Sequence, residues 1–219
     1  MHIPDGFLDA KTWISTTLLG GAVVMLASRN AQVGLKREQV PKMGLLGAFI
    51  FATQMVNFPI AGATSGHFLG GAMAAILFGP WVSVLLMSAV LIIQAFIFQD
   101  GGVTVLGANI LCTGVLGSFA GYGMYRFLGV RGFQWLSESV KIFTAAWCSI
   151  VAAASGVSLL LALSGTMPLA IGLPAMTGWH SLIGIGEGLI SVWVIAYWRK
   201  AQAVASPILV DTNQSGEHR

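Results

Sequence analysis

Residues 68–98 read Phe68-Leu69-Gly70-Gly71-Ala72-Met73-Ala74-Ala75-Ile76-Leu77-Phe78-Gly79-Pro80-Trp81-Val82-Ser83-Val84-Leu85-Leu86-Met87-Ser88-Ala89-Val90-Leu91-Ile92-Ile93-Gln94-Ala95-Phe96-Ile97-Phe98, without one charged residue. About 20 apolar residues cross a bilayer as a helix, so this run is too long for one span. Its one break is Gly79-Pro80. Proline suits the first turn of a helix, which predicts a reversal there and two spans, at 67–78 and 80–98. The alternative is one kinked helix.

Outward from this stretch, further apolar runs lie at 12–28, 43–58, 104–127, 139–164 and 178–198, which makes seven. Positive charge arbitrates the count, because Lys and Arg gather on the cytoplasmic side of membrane proteins. Arg29, Lys36, Arg37 and Lys42 follow the first run; Arg126, Arg131 and Lys141 lie between the fifth and sixth; Arg199, Lys200 and Arg219 follow the seventh. The segments 59–66, 99–103 and 165–177 carry no Lys or Arg. With seven spans all of those basic residues fall on one side and only Lys11 on the other, whereas one helix over 67–98 would split them. The expected fold is therefore all-α: a polytopic membrane helix bundle of seven transmembrane helices, N-terminus outside and C-terminus cytoplasmic.

Composition agrees, since 56% of the 219 residues are hydrophobic and only 9% are charged, which a water-exposed surface does not tolerate. The 28 glycines suit close helix approach in lipid. One domain over 1–200, with an N-terminal segment 1–9, and a polar, poorly ordered cytoplasmic tail at 201–219 are expected. No basic n-region precedes a short apolar core, so the initiator end is read as the mature end. Cys112 and Cys148 sit inside apolar runs and read as packing residues. The lipid bilayer is the implied surroundings, and a net charge of +3 gives no case for nucleic acid.

Chemistry concentrates at the expected outer face, where His2, His67 and His180 fall. A free Met1 amine, the His2 backbone nitrogen and His2 Nδ1 close two fused chelate rings around one ion. His67, after Gly62-Ala63-Thr64-Ser65-Gly66, is placed to complete a planar nitrogen set. Square-planar nitrogen favours Ni(II) or Cu(II), while Zn(II) prefers a tetrahedron. Such binding displaces protons and is pH-dependent. The bulky His2 argues that Met1 is retained. Ile3-Pro4-Asp5-Gly6 reads as a turn that folds residues 1–2 back into the bundle. The alternative is an ordinary loop into the first span, anchored by Phe7 and Leu8.

Bound imidazoles need partners that fix their orientation, and Asp5, Asn57, Thr64, Ser65, Gln94, Asn109, His180 and Glu187 are the polar residues on that half. His180 and Glu187 are seven apart and share a helix face. Glu187 is the one carboxylate deep in an apolar run, a functional candidate by default, with a structural hydrogen bond as the alternative. Gly44, Ala48 and Ala52 recur every four residues and make a smooth helix face, either for a partner or for packing within the bundle.

The opening Met1-His2-Ile3-Pro4-Asp5-Gly6-Phe7-Leu8, Ser65-Gly66-His67, Leu106-Gly107-Ala108-Asn109 and His180-Ser181-Leu182-Ile183-Gly184-Ile185-Gly186-Glu187-Gly188 resemble the membrane-embedded substrate-binding subunit, or S component, of nickel/cobalt energy-coupling-factor transporters, the CbiM/NikM family. The resemblance covers about residues 1–200. It implies a seven-helix capture subunit of the cytoplasmic (inner) membrane whose N-terminal segment plugs the site. It also implies a metal held by the Met1 amine, the His2 amide nitrogen and imidazole, and His67. The implied partners are a transmembrane coupling protein docking on Ala48 and Ala52, ATP-binding cassette ATPase subunits and a small additional membrane subunit.

No phosphate-cradling Gly-x-x-x-x-Gly-Lys-Ser/Thr loop is present, so ATP hydrolysis is assigned to partner subunits and no enzymatic activity to this chain. Ni(II), with Co(II) as the other candidate, is the expected substrate. A self-sufficient ion-coupled permease needs ionisable groups through the bilayer, and only Glu187 qualifies. A membrane metalloenzyme needs an open coordination position and a base, which a closed four-nitrogen plane does not offer.

Overall fold

The computed structural model describes residues 1–32, 37–60, 64–130 and 133–214, with side chains through residue 203. Lys36, Arg131, His218, Arg219 and residues 61–63 of the loop before His67 lie outside the described residues. The described residues form an all-α membrane protein. Helix α1 spans Ala10–Gln32, α2 Val40–Gln54 and α3 Gly71–Phe78. Helix α4 spans Pro80–Ile93 and ends in a π-helical turn, Gln94–Phe98. Helix α5 is a rod of three pieces, Leu106–Asn109, a π-helical Ile110–Leu116 and Gly117–Leu128. Helices α6, Glu138–Leu163, and α7, Leu169–Gln214, complete the bundle. A short antiparallel ribbon pairs β1, Phe58–Pro59, with β2, Ser65–Gly66.

The break at Gly79-Pro80 appears as expected. Gly79 has φ 88° and ψ 157°, a conformation open to glycine and hostile to other residues, and Pro80 starts α4. The segment before it differs from the expectation of a span at 67–78. Helix α3 begins only at Gly71 and its 8 residues rise about 12 Å, well short of a hydrocarbon core of about 30 Å. Residues 67–70 are not helical, because their backbone groups are bonded elsewhere, as described below.

Among the described residues, four helices are long and apolar enough to cross a membrane: Ala10–Gln32, Pro80–Phe98, Glu138–Leu163 and Leu169–Ala203. Helix α7 also continues beyond the span expected to end at 198, through the alanine-rich start of the polar tail, to Gln214. Alanine is the strongest helix former, and Ala201 and Ala203 favour that extension.

Helix α3 sits in the interior, with Gly71, Ala72, Met73, Ala74 and Ala75 all buried. Close approach depends on missing side chains. A Cβ on Gly107 would fall 2.3 Å from Thr17 Cα, so α1 and the start of α5 touch backbone to backbone. The cysteines are free, Cys112 buried and Cys148 half-buried, which suits packing.

The two ends of the bundle are tied by different polar contacts. The N-terminal segment, the ribbon, the 99–105 loop and Ser164–Thr166 meet at one end, joined by hydrogen bonds such as Ser164 Oγ to Asp9 Oδ1 at 3.1 Å. At the other end Arg199 Nη1 donates to Glu138 Oε1 at 2.7 Å, and the Tyr125 hydroxyl donates to the same carboxylate.

Candidate metal centre

The N-terminal residues are interior rather than trailing. Met1 and Ile3 are fully buried and His2 is 3% exposed. The chain enters through a turn in which Phe7 N donates to Pro4 O and Gly6 takes φ 83°. This is one residue later than the Ile3–Gly6 turn expected, with Asp5 and Gly6 at its centre. Glycine is needed at the third position of such a type II turn.

A ladder of bonds to the 100–109 region then fixes the segment. Ile3 N donates to Asn109 Oδ1 at 2.8 Å, Asn109 Nδ2 donates to Ile3 O at 3.1 Å, and Gly102 N donates to the same carbonyl at 2.9 Å. Asp5 accepts from Thr104 N at 2.9 Å and Val103 N at 3.2 Å, and from the Thr104 hydroxyl. The Thr104 hydroxyl, followed by these backbone donors, holds the Asp5 carboxyl below its usual range. Asp5 and Asn109 are thus clamps on the N-terminal segment. The loop lies against it only because two residues lack a side chain: a Cβ on Gly102 would fall 2.4 Å from Asp5 N, and one on Gly101 3.2 Å from His2 Cβ.

At the buried tip, the Met1 amine donates to Ser65 Oγ at 2.7 Å and to the Ser65 carbonyl. Burial lowers its pKa well below the ordinary value against the pull of nearby Asp100, which favours the neutral amine. Burial likewise lowers that of His2, with Asp100 opposing. The His2 and His67 rings lie 4.4 Å apart between centroids, tilted by 43°. His67 is 1% exposed, with Nδ1 2.7 Å from the Phe68 carbonyl. A carbonyl only accepts, so Nδ1 carries the proton and the Nε2 lone pair is left bare. That Nε2 is buried and has no hydrogen-bond partner, an expensive condition for a polar atom unless something else fills it.

Glu187 holds the segment that carries His67. Its two oxygens accept from Leu69 N and Gly70 N, each at 2.9 Å, and Gln54 Nε2 donates to Leu69 O at 2.6 Å. These bonds replace the helical ones that residues 67–70 forgo. One face of α7 runs alongside: Met176 accepts from Thr64 Oγ1, Ile183 packs on Gly66, and Glu187 caps Leu69-Gly70. His180 lies between them, fully buried, its Nδ1 2.7 Å from Met176 O and its Nε2 unpartnered. Among the further polar candidates, Asn57 Nδ2 donates to Asp100 Oδ2 at 3.2 Å, while the buried Gln94 amide has no hydrogen-bond partner. Two participants were missed in the sequence, Gln54 and Asp100. Asp100 carried one readable signal, the Gly101-Gly102 that follows it.

Among the described residues no three His, Cys, Asp or Glu side chains converge as a metal-binding cluster. The donors that do meet are an N-terminal amine and two imidazoles. Over residues 2–205 the chain matches the family described as the cobalt uptake substrate-specific transmembrane region, CbiM. The chain belongs to the CbiM family. A relative from Haloquadratum walsbyi is 43% identical, over 97% of this chain and 94% of that one. The cobalt transport protein CbiM of Thermosediminibacter oceani is 31% identical, over 89% of this chain and 82% of that one. The fused nickel transport protein NikMN of Rhodobacter capsulatus is 33% identical over 92% of this chain, which spans 62% of the longer protein. A crystal structure of a truncated transition metal transporter superposes with a TM-score of 0.86 at 29% identity, covering 92% of this chain and 99% of that one. This CbiM-family chain is a multi-pass membrane protein of cobalt and nickel transport.

Proposed function

We propose that the chain is the substrate-binding subunit of an ATP-driven energy-coupling-factor importer, which captures Ni(II), or Co(II), from the outer face. The Met1 amine, the His2 amide nitrogen and imidazole, and His67 Nε2 hold the ion in one plane. The observation that carries this reading is the pairing of a buried amine with an unpartnered, tautomer-fixed His67 Nε2 beside His2. Asp5, Ser65, Asn109 and Glu187 position these donors through the bonds described above, and His180 lies along the same wall.

Residues 1–200 act as one seven-helix membrane domain, N-terminus outside, with the tail 201–219 on the cytoplasmic side. The distribution of Lys and Arg along the chain supports this orientation. Gly44, Ala48 and Ala52 remain exposed on α2 rather than spent on packing within the bundle, which supports Ala48 and Ala52 as the docking face for a coupling protein. ATPase subunits and a small additional membrane subunit complete the importer.

Uptake into vesicles tests the reading. Radioactive Ni(II) is expected to enter only when this chain is reconstituted with its coupling protein and ATPases and ATP is present on the ATPase side. Uptake by the chain alone, driven by an ion gradient and indifferent to ATP, would establish the self-sufficient permease instead.

A further inference from the structure

A cavity of about 740 Å³ opens beside the N-terminal segment, with His2, Asp5, Asn57, Ser65 and Asp100 in its wall and no Lys or Arg among its described lining residues. Of its two carboxylates, Asp5 is consumed by Thr104 and Val103. Asp100 is not. Its Oδ2 accepts one bond from Asn57, and its Oδ1 lies 3.1 Å from His2 Nδ1, an ion-pair distance that a bound cation would take over in place of the imidazole proton. The His2 imidazole is 1% exposed and the Asp100 side chain 17%, so the nitrogen is walled in while the carboxylate reaches the cavity.

The loop is shaped to present this group. Gln99 takes φ 54° and Gly101 φ 95°, the backbone of Asp100 is tied to Gln94 O at 3.0 Å, and the bare Gly101 lets His2 come close. Nitrogen and oxygen ligands bind a first-row divalent ion at about 2.0–2.2 Å, so two at right angles sit about 3 Å apart. The His2 Nδ1 to Asp100 Oδ1 spacing of 3.1 Å matches that value.

We propose that His2 Nδ1 and Asp100 Oδ1 form a receiving site at the floor of this cavity, through which a divalent cation reaches the inner nitrogen plane. The ion first exchanges water for this carboxylate and imidazole. His2 Nδ1 then keeps it while the ring turns inward about Cβ–Cγ, and the Met1 amine, the His2 amide nitrogen as it gives up its proton to water, and His67 Nε2 displace Asp100. Asp100 is a ligand of the path and not of the final site. The inference rests on the capture site proposed above.

A ligand used only on the path lowers the barrier equally in both directions, so its loss slows binding and release together and leaves affinity alone. The test uses the purified full chain with its native N-terminus, mixed rapidly with Ni(II), and a chelator challenge for release. Asp100→Asn keeps the volume and one oxygen but removes the charge. It is expected to slow both association and dissociation by at least about tenfold, with Kd held within about threefold. Asp100→Glu is expected to recover most of both rates. An unchanged association rate overturns the proposal, as does a rise in Kd carried by either rate alone. Failure of the unaltered chain to bind Ni(II) would instead remove the capture site itself, so the two failures are distinct.

Discussion

His67→Ala and His2→Ala should each abolish stoichiometric Ni(II) binding while leaving the bundle folded. In the proposed site His67 contributes a single lone pair, on Nε2, which forms no hydrogen bond among the described residues. Its Nδ1 bonds only the adjacent Phe68 carbonyl, so the ring adds little to tertiary structure beyond the space it fills. Loss of a hydrogen-bond partner behind a metal ligand typically costs 10–100-fold in affinity, and loss of the ligand itself should exceed roughly the upper figure. In the proposed site His2 supplies its imidazole to the same ion. Helical circular dichroism and elution volume report the fold, and equilibrium dialysis reports the metal. Retained Ni(II) affinity in a folded variant would remove that histidine from the site.

Extending the chain by even Gly-Ser before Met1 should be as damaging. The amine becomes an amide, which at neutral pH offers neither a lone pair of comparable basicity nor the same donor set to Ser65. Extra residues also have no room, since Met1 is fully buried. Acetylation of the amine separates the causes, because it adds few atoms and removes the same lone pair. Both forms are expected to lose binding, measured by metal content after desalting. An extended chain that bound Ni(II) with unaltered affinity would show that the Met1 amine is not a ligand.

The sequence revealed the parts of the fold that depend on local pattern. Gly79-Pro80 was legible because a positive φ followed by a fixed one leaves few alternatives. The start of α3 was not. Phe68 and Leu69 are apolar and helix-compatible, and only Glu187 and Gln54, distant in sequence, explain why they leave the helix. Nothing local in Phe68-Leu69-Gly70 records those bonds.

The candidate donors were legible for a different reason. The chelating potential of an N-terminal amine followed by histidine is a property of two adjacent residues, and His67 follows from the loop it terminates. Their support was legible only as a set of polar residues on one half of the chain. Whether Asp5 faced the metal or the backbone depended on a loop packed from nearly a hundred residues away, and the structure spends it on Thr104 and Val103. Asp100, in contrast, was passed over in a loop noted only for its lack of positive charge, yet it stands 3.1 Å from His2.

The most direct test of the four-nitrogen capture site is the absorption and magnetism of the purified chain loaded with Ni(II), beside its metal content. One diamagnetic, yellow Ni(II) per chain, lost in the His67→Ala variant, is expected of low-spin planar nitrogen coordination. A paramagnetic ion, or one bound equally well without His67, would contradict it.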